Sequence, residues 1–407
     1  MKNQYVGSLK QYIKKFSQDI KSYSDYYKFG FERFGPFLYG YTNWLYKKIV
    51  KSGCKKVFFF SRDGYMMKKA FDIYNSDNTI VSKYVYFSRK SIRQALLHKF
   101  SKYQDSLIYL TWERYITIGK LLEYYGFSKT ECKNIAIENN LLLDEDLLFD
   151  DLKKNTKMEN LFYKIKPYID KNSIEQDLML ERYLNQVGMN GLCAIVDIGW
   201  HGSMQYFLEE YCSIKKIGVQ FLGFYVGIKP NKHIVGTCDG YLYNKDNFKL
   251  RKDVLCFFGG YEKLFQSCEG STYGYILQDD VIRPVFADYE YHDNLQFINY
   301  INEWQSGALK FVKIVCCNSI QLKNQKQWAY PLIKFGKNPS MKDIKLFNNF
   351  YNTDGTKVYY VSQKPLYKYR PRELVHALSN SVWKTGFMKS LFKIPFPYFY
   401  VYCLLKK

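Results

Sequence analysis

The sequence predicts an α/β protein with a Rossmann-like, mainly parallel sheet, a helical insertion that caps the sheet, and a helical C-terminal region. Short apolar runs alternate with helical patterns along the chain, as expected for parallel strands that are buried on both faces. Several of these runs end in polar loops, where open α/β sheets carry their ligand-binding residues. The apolar fraction is 47% of 407 residues, which is enough for a sizeable core and more than one structural unit.

The predicted strands are residues 57–60, 84–87, 192–198 and 221–228, since each is a short apolar run next to turn-forming residues. Residues 5–50 have helical spacing, with a break predicted at Gly35-Pro36. Residues 92–188 carry amphipathic helical patterns and few strand signals. We therefore predict five parts: N-terminal helices (1–50), a Rossmann-like core (51–91 and 189–290), a helical insertion (92–188), a C-terminal helical region (291–380) and a basic aromatic tail (381–407).

The formal net charge is +22, with Lys and Arg spread along the whole chain. Such a field attracts nucleic acid, anionic lipid or phosphorylated small molecules, and part of it can simply serve solubility. The chain has no recognisable nucleic-acid-binding motif, so nucleic acid is not the expected partner. The ten cysteines form no CxxC pair, which favours reduced thiols over a zinc site. With no apolar leader and no membrane-length apolar run, a cytoplasmic location is expected.

Three predicted strands end in polar loops that a parallel sheet would bring to one edge. The loops are Ser-Arg-Asp-Gly at 61–64, Ser-Arg-Lys-Ser at 88–91, and Asp-Ile-Gly-Trp-His-Gly-Ser at 197–203. A further segment, 261–275, supplies small and hydroxyl residues that suit another oxygen-binding loop. The sequence therefore predicts one polar site at the carboxyl ends of the strands.

The residue types in these loops suit a phosphorylated ligand. Arg62 and Arg89 can each hold a phosphate with two parallel hydrogen bonds. Asp63 and Asp197 are suited to proton transfer or to holding a hard cation such as Mg²⁺. His201 could act as an acid, a base or a phosphate donor. The hydroxyl groups come from Ser61, Ser88 and Ser203.

Each of these residues also has a purely structural interpretation. Asp63 before Gly64 is ordinary turn chemistry, and Asp197 could close its own loop. Ser203 could be a helix N-cap, and the two arginines could simply pair with the two aspartates.

With these motifs in view, the sequence resembles proteins encoded in bacterial capsule and O-antigen loci that are described as haloacid-dehalogenase-like hydrolases. The resemblance covers roughly residues 35–275. It is carried in order by Gly35-Pro36, Phe60-Ser61-Arg62-Asp63-Gly64-Tyr65, Tyr86-Phe87-Ser88-Arg89, Val196-Asp197-Ile198-Gly199-Trp200 with Gly202-Ser203 and Gln205, and Glu262-Lys263-Leu264-Phe265 with Gly270-Ser271.

The resemblance implies work on a phosphorylated sugar in surface-polysaccharide synthesis, with Gly64, Gly202, Gln205, Glu262 and Ser271 as further substrate-binding residues. The haloacid-dehalogenase signature is an apolar strand that ends in Asp-x-Asp-Gly. In that frame Ser61 stands in the place of the nucleophile, Ser88 in that of the second-motif hydroxyl, and Asp197 in that of the late magnesium ligand.

A serine at position 61 cannot form the aspartyl phosphate of that chemistry. Three hypotheses therefore stay open. The chain is an enzyme that acts on a glycosyl-phosphate by another route, a glycosyltransferase, or a scaffold that binds a nucleotide-sugar or a lipid-linked sugar without turnover.

The tail predicts a peripheral contact with an anionic membrane surface. Trp383, Phe387, Met388, Leu391 and Phe392 share one face of a predicted helix, with lysines beside it. Pro395 and Pro397 are predicted to end this helix. A second aromatic run follows, and it is too short to cross a bilayer. The alternative is that the tail packs on the protein core.

Overall fold

The strands in the described part of the chain form one parallel sheet and three antiparallel pairs. The computed structural model describes residues 2–110, 114–318, 320, 322, 325–354 and 356–406. In chain order the strands are β1 (Lys56–Phe60), β2 (Val81–Val85), β3 (Tyr115–Thr117), β4 (Asp146–Leu148), β5 (Gly191–Trp200), β6 (Val219–Ile228), β7 (Thr237–Tyr243), β8 (Thr272–Gln278), β9 (Val281–Phe286), β10 (Tyr351–Asp354) and β11 (Thr356–Tyr359).

The parallel sheet has the strand order β2-β1-β5-β6-β7. From β1 the chain moves outward to β2, and it then returns to the other side of β1 with β5. The order of the strands therefore reverses between β1 and β5, as in flavodoxin-like doubly wound folds. The predicted α/β class and the mainly parallel sheet are confirmed.

Helices cover both faces of the sheet and make up most of the remaining chain. They are α1 (Lys2–Phe16), α2 (Asp25–Phe29), α3 (Gly35–Ser52), α4 (Gly64–Tyr74), α5 (Arg89–Gln94), α6 (Tyr103–Ser106), α7 (Ile118–Tyr124), α8 (Lys129–Glu138), α9 (Thr156–Val187), α10 (Ser203–Ile214), α11 (Arg251–Leu255), α12 (Phe258–Phe265), α13 (Leu295–Cys317), α14 (Tyr330–Lys337), α15 (Met341–Leu346), α16 (Pro371–Asn380), α17 (Lys384–Phe392) and α18 (Tyr398–Leu405). The helical C-terminal region is thus present as predicted.

Two hydrophobic cores lie on opposite faces of the sheet, because successive side chains of a strand point to opposite faces. In β1, Val57 and Phe59 join the core formed with the N-terminal and C-terminal helices. Phe58 and Phe60 join the second core, which is formed with the helices of the insertion. This alternation explains why β1 is apolar at every position from 57 to 60.

Several elements differ from the sequence prediction. β2 begins at Val81 rather than at 84, and it is an edge strand with alternating exposure. The strand β7 was missed, since it follows β6 through an irregular connection without the helix that usually marks a parallel crossover. The hairpin β8–β9 lies outside the sheet, where Gln176 of α9 donates to the carbonyl of Tyr275 at 3.1 Å.

The predicted break at Gly35-Pro36 does not occur. A π-helical turn over Gly30–Phe34 joins α2 to α3, and the N–H of Gly35 donates to the carbonyl of Gly30. Pro36 stands in the first turn of α3, where a missing N–H is tolerated.

The tail packs largely on the protein itself. Trp383, Phe387, Met388 and Leu391 of the predicted membrane face are all buried. The Trp383 indole donates to the carbonyl of Gly336 at 2.9 Å. Four of the five residues of the predicted face are therefore buried, whereas Phe392 is exposed. No helix among the described residues has both the length and the apolar character needed to cross a membrane.

Candidate functional site

A large cavity opens at the carboxyl ends of β1 and β5, where the strand order reverses. Open α/β sheets bind their ligands at this position, since the loops on either side of the reversal diverge and leave a crevice. The cavity has a volume of about 940 Å³, which is within the usual range for small-molecule sites. The predicted site residues that line it are Ser61, Arg62, Asp63, Ser88, Arg89, Asp197, His201, Ser203, Glu262 and Ser271.

Three residues from the sequence prediction do not line this cavity. Gly64 is buried at the start of α4, where an added Cβ would lie 2.9 Å from the carbonyl carbon of Phe59. Gly202 has φ +68° and forms the left-handed turn before α10. Gln205 is fully buried and accepts a hydrogen bond from the Tyr225 hydroxyl at 2.8 Å. The position of each of these residues is explained by packing or backbone geometry.

The last two residues of β5 have a tightly turned backbone. Gly199 has φ +115°, and a Cβ there would lie 2.4 Å from the carbonyl oxygen of Gly227. Trp200 has φ +69°, a conformation that is costly for a residue with a side chain. Its indole Nε1 donates to Glu262 Oε1 at 2.8 Å. The strained turn thus places the indole where it fixes a cavity carboxylate.

Three carboxyl groups meet in the cavity: Asp63, Asp197 and Glu262. They are partly open to the cavity but lie deep in the protein, away from bulk water. Desolvation raises the pKa of Asp63 well above its usual value, and repulsion from Asp197 and Glu262 adds to this rise. Desolvation also raises the pKa of Asp197 to about 6, and repulsion from Glu262 contributes. The pKa of Glu262 is raised by burial as well. Such clusters are characteristic of functional sites.

Asp63 is the carboxylate with the fewest structural contacts. It stands at the N-cap of α4, yet its side chain makes no capping hydrogen bond. Among the described residues it accepts no hydrogen bond from any other group. Asp197, in contrast, accepts a hydrogen bond from the N–H of Ile198 at 2.8 Å. A capping or turn-closing hydrogen bond therefore does not explain why an aspartate occupies position 63.

Arg62 does not face the cavity as a free cation. Its Nη1 pairs with Glu290 Oε2 at 3.0 Å and also donates to the carbonyl of Glu269 at 3.3 Å. Glu290 pairs in addition with the fully buried Lys263. The two cations lower the pKa of Glu290 to about 2, against the opposing effect of burial. Arg62 can therefore offer a ligand only the part of its guanidinium that Glu290 leaves open.

Arg89 has no such partner. It is exposed at the cavity wall and makes no hydrogen bond or ion pair with any described residue. The neighbouring Ser88 hydroxyl is already engaged, because it caps α5 by accepting from the N–H of Ser91 and donates to the carbonyl of Thr272. Of these adjacent residues, Arg89 is thus the better placed to bind an anion.

Ser203 and His201 flank the N-terminus of α10. Ser203 is the first residue of that helix, and its cap is Gly202, so its hydroxyl is not used for capping. His201 is exposed overall, but part of its imidazole is desolvated. This desolvation, together with the charges of Arg251 and Lys229, lowers its pKa below the usual 6.5. His201 is therefore neutral at physiological pH, as a proton acceptor would need to be.

Other residues of the cavity wall were missed by the sequence reasoning. They come from the insertion, from α12 and its flank, and from the C-terminal region: Lys120, Phe258, Gln266, Glu290, Asn352, Thr353, Ser379 and Asn380. No motif marks them, since they are single residues far apart in the chain. Gln266 is of special interest because its Nε2 is buried and has no hydrogen-bond partner among the described residues. Unsatisfied donors of this kind suggest a ligand contact.

The donor set of the cavity fits Mg²⁺, although no group of three or more His, Cys, Asp or Glu side chains in the described parts of the chain is placed to hold a metal. Magnesium is often held by one or two carboxylates together with water and substrate phosphate. Asp63 and Asp197 repel one another, and a cation between them would relieve that repulsion. These two residues are therefore the ones that would bind it.

The chain matches no protein-family model, and it has no match among curated proteins. The assignment of function therefore depends on the cavity itself.

Proposed function

We propose that this protein is an enzyme of capsule or O-antigen assembly that acts on a phosphorylated sugar or glycosyl-phosphate. The observation that carries the proposal is the group of three carboxyls with raised pKa values beside an unpaired arginine, at the strand-order reversal of a parallel sheet. Enzymes commonly combine an anion-binding cation with carboxyls of unequal pKa for acid–base work. The pathway itself is inferred from the sequence resemblance.

Arg89 would bind the substrate phosphate, helped by the N-terminus of α10 and the hydroxyl of Ser203. Gln266 also lines the cavity, and its unpaired Nε2, which is covered in this structure, would reach a sugar hydroxyl once the side chain turns toward the cavity. Both contacts use groups that lack a partner within the described part of the protein. Substrate binding would therefore satisfy them without breaking an existing bond.

Proton transfer would divide between two carboxyls. Asp63, whose pKa is raised by burial and by repulsion from Asp197 and Glu262, would donate a proton to the leaving oxygen. Asp197, which is largely ionised above pH 6, would accept the proton of the attacking hydroxyl or water. Ser61 would not act as the nucleophile, because its hydroxyl lies near the Phe87 carbonyl and Thr272 with no base beside it. Asp63 and Asp197 would serve as ligands of Mg²⁺ only when both are ionised, and the metal would then supply charge neutralisation at the phosphate in place of proton transfer by Asp63.

The direct test is a turnover screen with sugar phosphates, nucleotide-sugars and lipid-linked sugars, with and without Mg²⁺. The variant Asp63→Asn keeps the size of the side chain and loses the proton, so we expect turnover to fall by about 10²–10⁴-fold with substrate binding retained. Full activity of Asp63→Asn would refute the role of Asp63. Binding by the native protein without any turnover would instead establish the alternative, a sugar-nucleotide or lipid-linked-sugar scaffold.

We also propose that the protein works at the cytoplasmic face of the membrane through residues 392–396 of the basic aromatic tail, rather than through the buried side of α17. The end of α17 and the loop after it leave Phe392, Ile394 and Phe396 exposed, with Lys393 among them. Exposed aromatic residues beside lysine suit the headgroup region of an anionic bilayer. Lipid-linked sugars are presented at such a surface.

Vesicle co-sedimentation with phosphatidylglycerol tests this contact. The double variant Ile394→Ser, Phe396→Ser should lose at least half of the bound fraction, because it removes two apolar side chains from the loop. The control is Val235→Ser, since Val235 is 90% exposed elsewhere on the molecule. Equal binding of the native and double-variant proteins, or no binding by the native protein, would refute the proposal.

A further inference from the structure

A second cavity, of about 350 Å³, opens beside the main one and shares part of its wall. Ser88, Arg89, Lys120 and Ser271 line both. A ligand bound at Arg89 could therefore extend from the main cavity into this side cavity.

The side cavity is strongly basic. Arg89, Lys90, Arg93 and Lys120 line it, whereas Glu123 is its one acidic residue among the described lining residues. Cations gathered in this way repel one another, so such a cluster usually serves to bind an anion. A ligand with a single phosphate bound at Arg89 would not need the other three basic side chains of this cavity.

Two cations of the side cavity, Lys90 and Arg93, are only partly compensated by the described residues, with Glu123 as the nearby acid. Lys90 makes no ion pair with a described residue, and its Nζ lies 3.6 Å from the ring centroid of Tyr273. Arg93 donates from Nη1 to the carbonyl of Tyr109 at 3.0 Å, while its buried Nε has no partner in the described part of the chain. Burial lowers the pKa of Lys90 to about 8, with Glu123 opposing this effect and Arg93 adding to it. Holding these charges together therefore costs stability that an anionic ligand would restore.

We propose that the substrate carries a diphosphate, with one phosphoryl group at Arg89 in the main cavity and the other at Lys90 and Arg93 in the side cavity. The inference rests on the proposed function, because it names the class of substrate for the same site. Tyr124 and Tyr273 also line the side cavity and would lie beside the group beyond the diphosphate. Either a nucleoside or an isoprenoid could occupy that part, and the diphosphate is common to both.

Calorimetric titration of the full chain with inorganic phosphate and with pyrophosphate tests the inference. We expect pyrophosphate to bind at least about tenfold more tightly, since it can reach both groups of cations. Lys90→Gln should reduce pyrophosphate affinity about tenfold and leave phosphate affinity within about twofold. Arg93→Gln is a second variant in the side cavity, and it should have the same effect as Lys90→Gln on both affinities. Lys47→Gln is the control, because Lys47 is an exposed lysine on α3 that lines neither cavity.

The outcomes separate this inference from the proposed function. Phosphate and pyrophosphate binding with equal affinity, or equal losses of both in Lys90→Gln, would overturn the diphosphate and leave a phosphate site standing. No binding of either anion would overturn both. Uridine diphosphate and farnesyl diphosphate then identify the source. Tighter binding of the first indicates a nucleoside diphosphate, and tighter binding of the second indicates a lipid diphosphate.

Discussion

The carboxyl cluster predicts that this protein becomes less stable as the pH rises from 4 to 8, and that Asp197→Asn removes part of this loss. In the folded protein the pKa of Asp197 is raised from 3.8 to about 6. The folded state therefore holds a proton at this position that the unfolded state has already released. Stability from this proton is complete below pH 4 and is lost as the pH rises through 6.

The size of the effect follows from the shift. One pKa unit corresponds to about 1.4 kcal/mol, so ionising Asp197 in the fold costs roughly 3 kcal/mol at pH 8. Asparagine keeps the oxygen that accepts from the N–H of Ile198 and carries no charge. It also removes a repulsive neighbour of Asp63. We expect the unfolding free energy of the variant, relative to the native protein, to rise by up to about 3 kcal/mol between pH 4 and pH 8.

Urea unfolding followed by circular dichroism at several pH values, with EDTA present, measures this difference. Asp246→Asn is the matched control, because Asp246 is exposed and its side chain makes no hydrogen bond or ion pair with the described residues. The unfolding free energy of Asp246→Asn, relative to that of the native protein, should not change with pH. If the same holds for Asp197→Asn, the pKa of Asp197 is not raised by the fold, and the argument for a tuned acid–base cluster would fail.

Three further predictions concern neighbouring groups. Glu290→Gln should lower the unfolding free energy by about 3–5 kcal/mol, because it leaves Lys263 buried without its anion. In the native protein the stabilisation from Glu290 should be present above pH 4.5 and fall as the pH approaches 2, which acid unfolding would reveal. Gln205→Ala should lower the unfolding free energy by about 1–3 kcal/mol in urea unfolding, because it removes the partner of the Tyr225 hydroxyl. Phosphate affinity should stay unchanged, since Gln205 lies outside the cavity. Mg²⁺ should raise the melting temperature more with a phosphorylated ligand than without it, and this excess should vanish in Asp197→Asn.

Much of the fold could be predicted from local patterns. The run at 57–60 is apolar on both faces, and this alone indicates a central parallel strand. The same local reasoning failed for β7, because no helix precedes it, and for the apolar face of α17, because a stripe that suits a membrane also suits a core.

The candidate site was only partly predictable. Asp63 and Arg89 follow predicted strands and Asp197 lies near the end of one, and the parallel sheet brings those strand ends to one edge, so their meeting could be expected. Glu290 could not be found in this way, because it lies far along the chain and follows a hairpin outside the sheet. Only the tertiary structure shows that Glu290 pairs with Arg62 and leaves Arg89 as the unpaired arginine of the two.

The sequence by itself therefore determined the class of fold and which strand-end loops carry polar groups, since both depend on short-range periodicity. The tertiary structure decided which of those groups are free to bind a ligand. Hydrogen-bond partners, burial and the resulting pKa shifts depend on residues that are distant in the chain and adjacent only after folding. For this reason Ser88 and Gln205 proved to be engaged in structural contacts, whereas Asp63 and Arg89 remain open to the cavity.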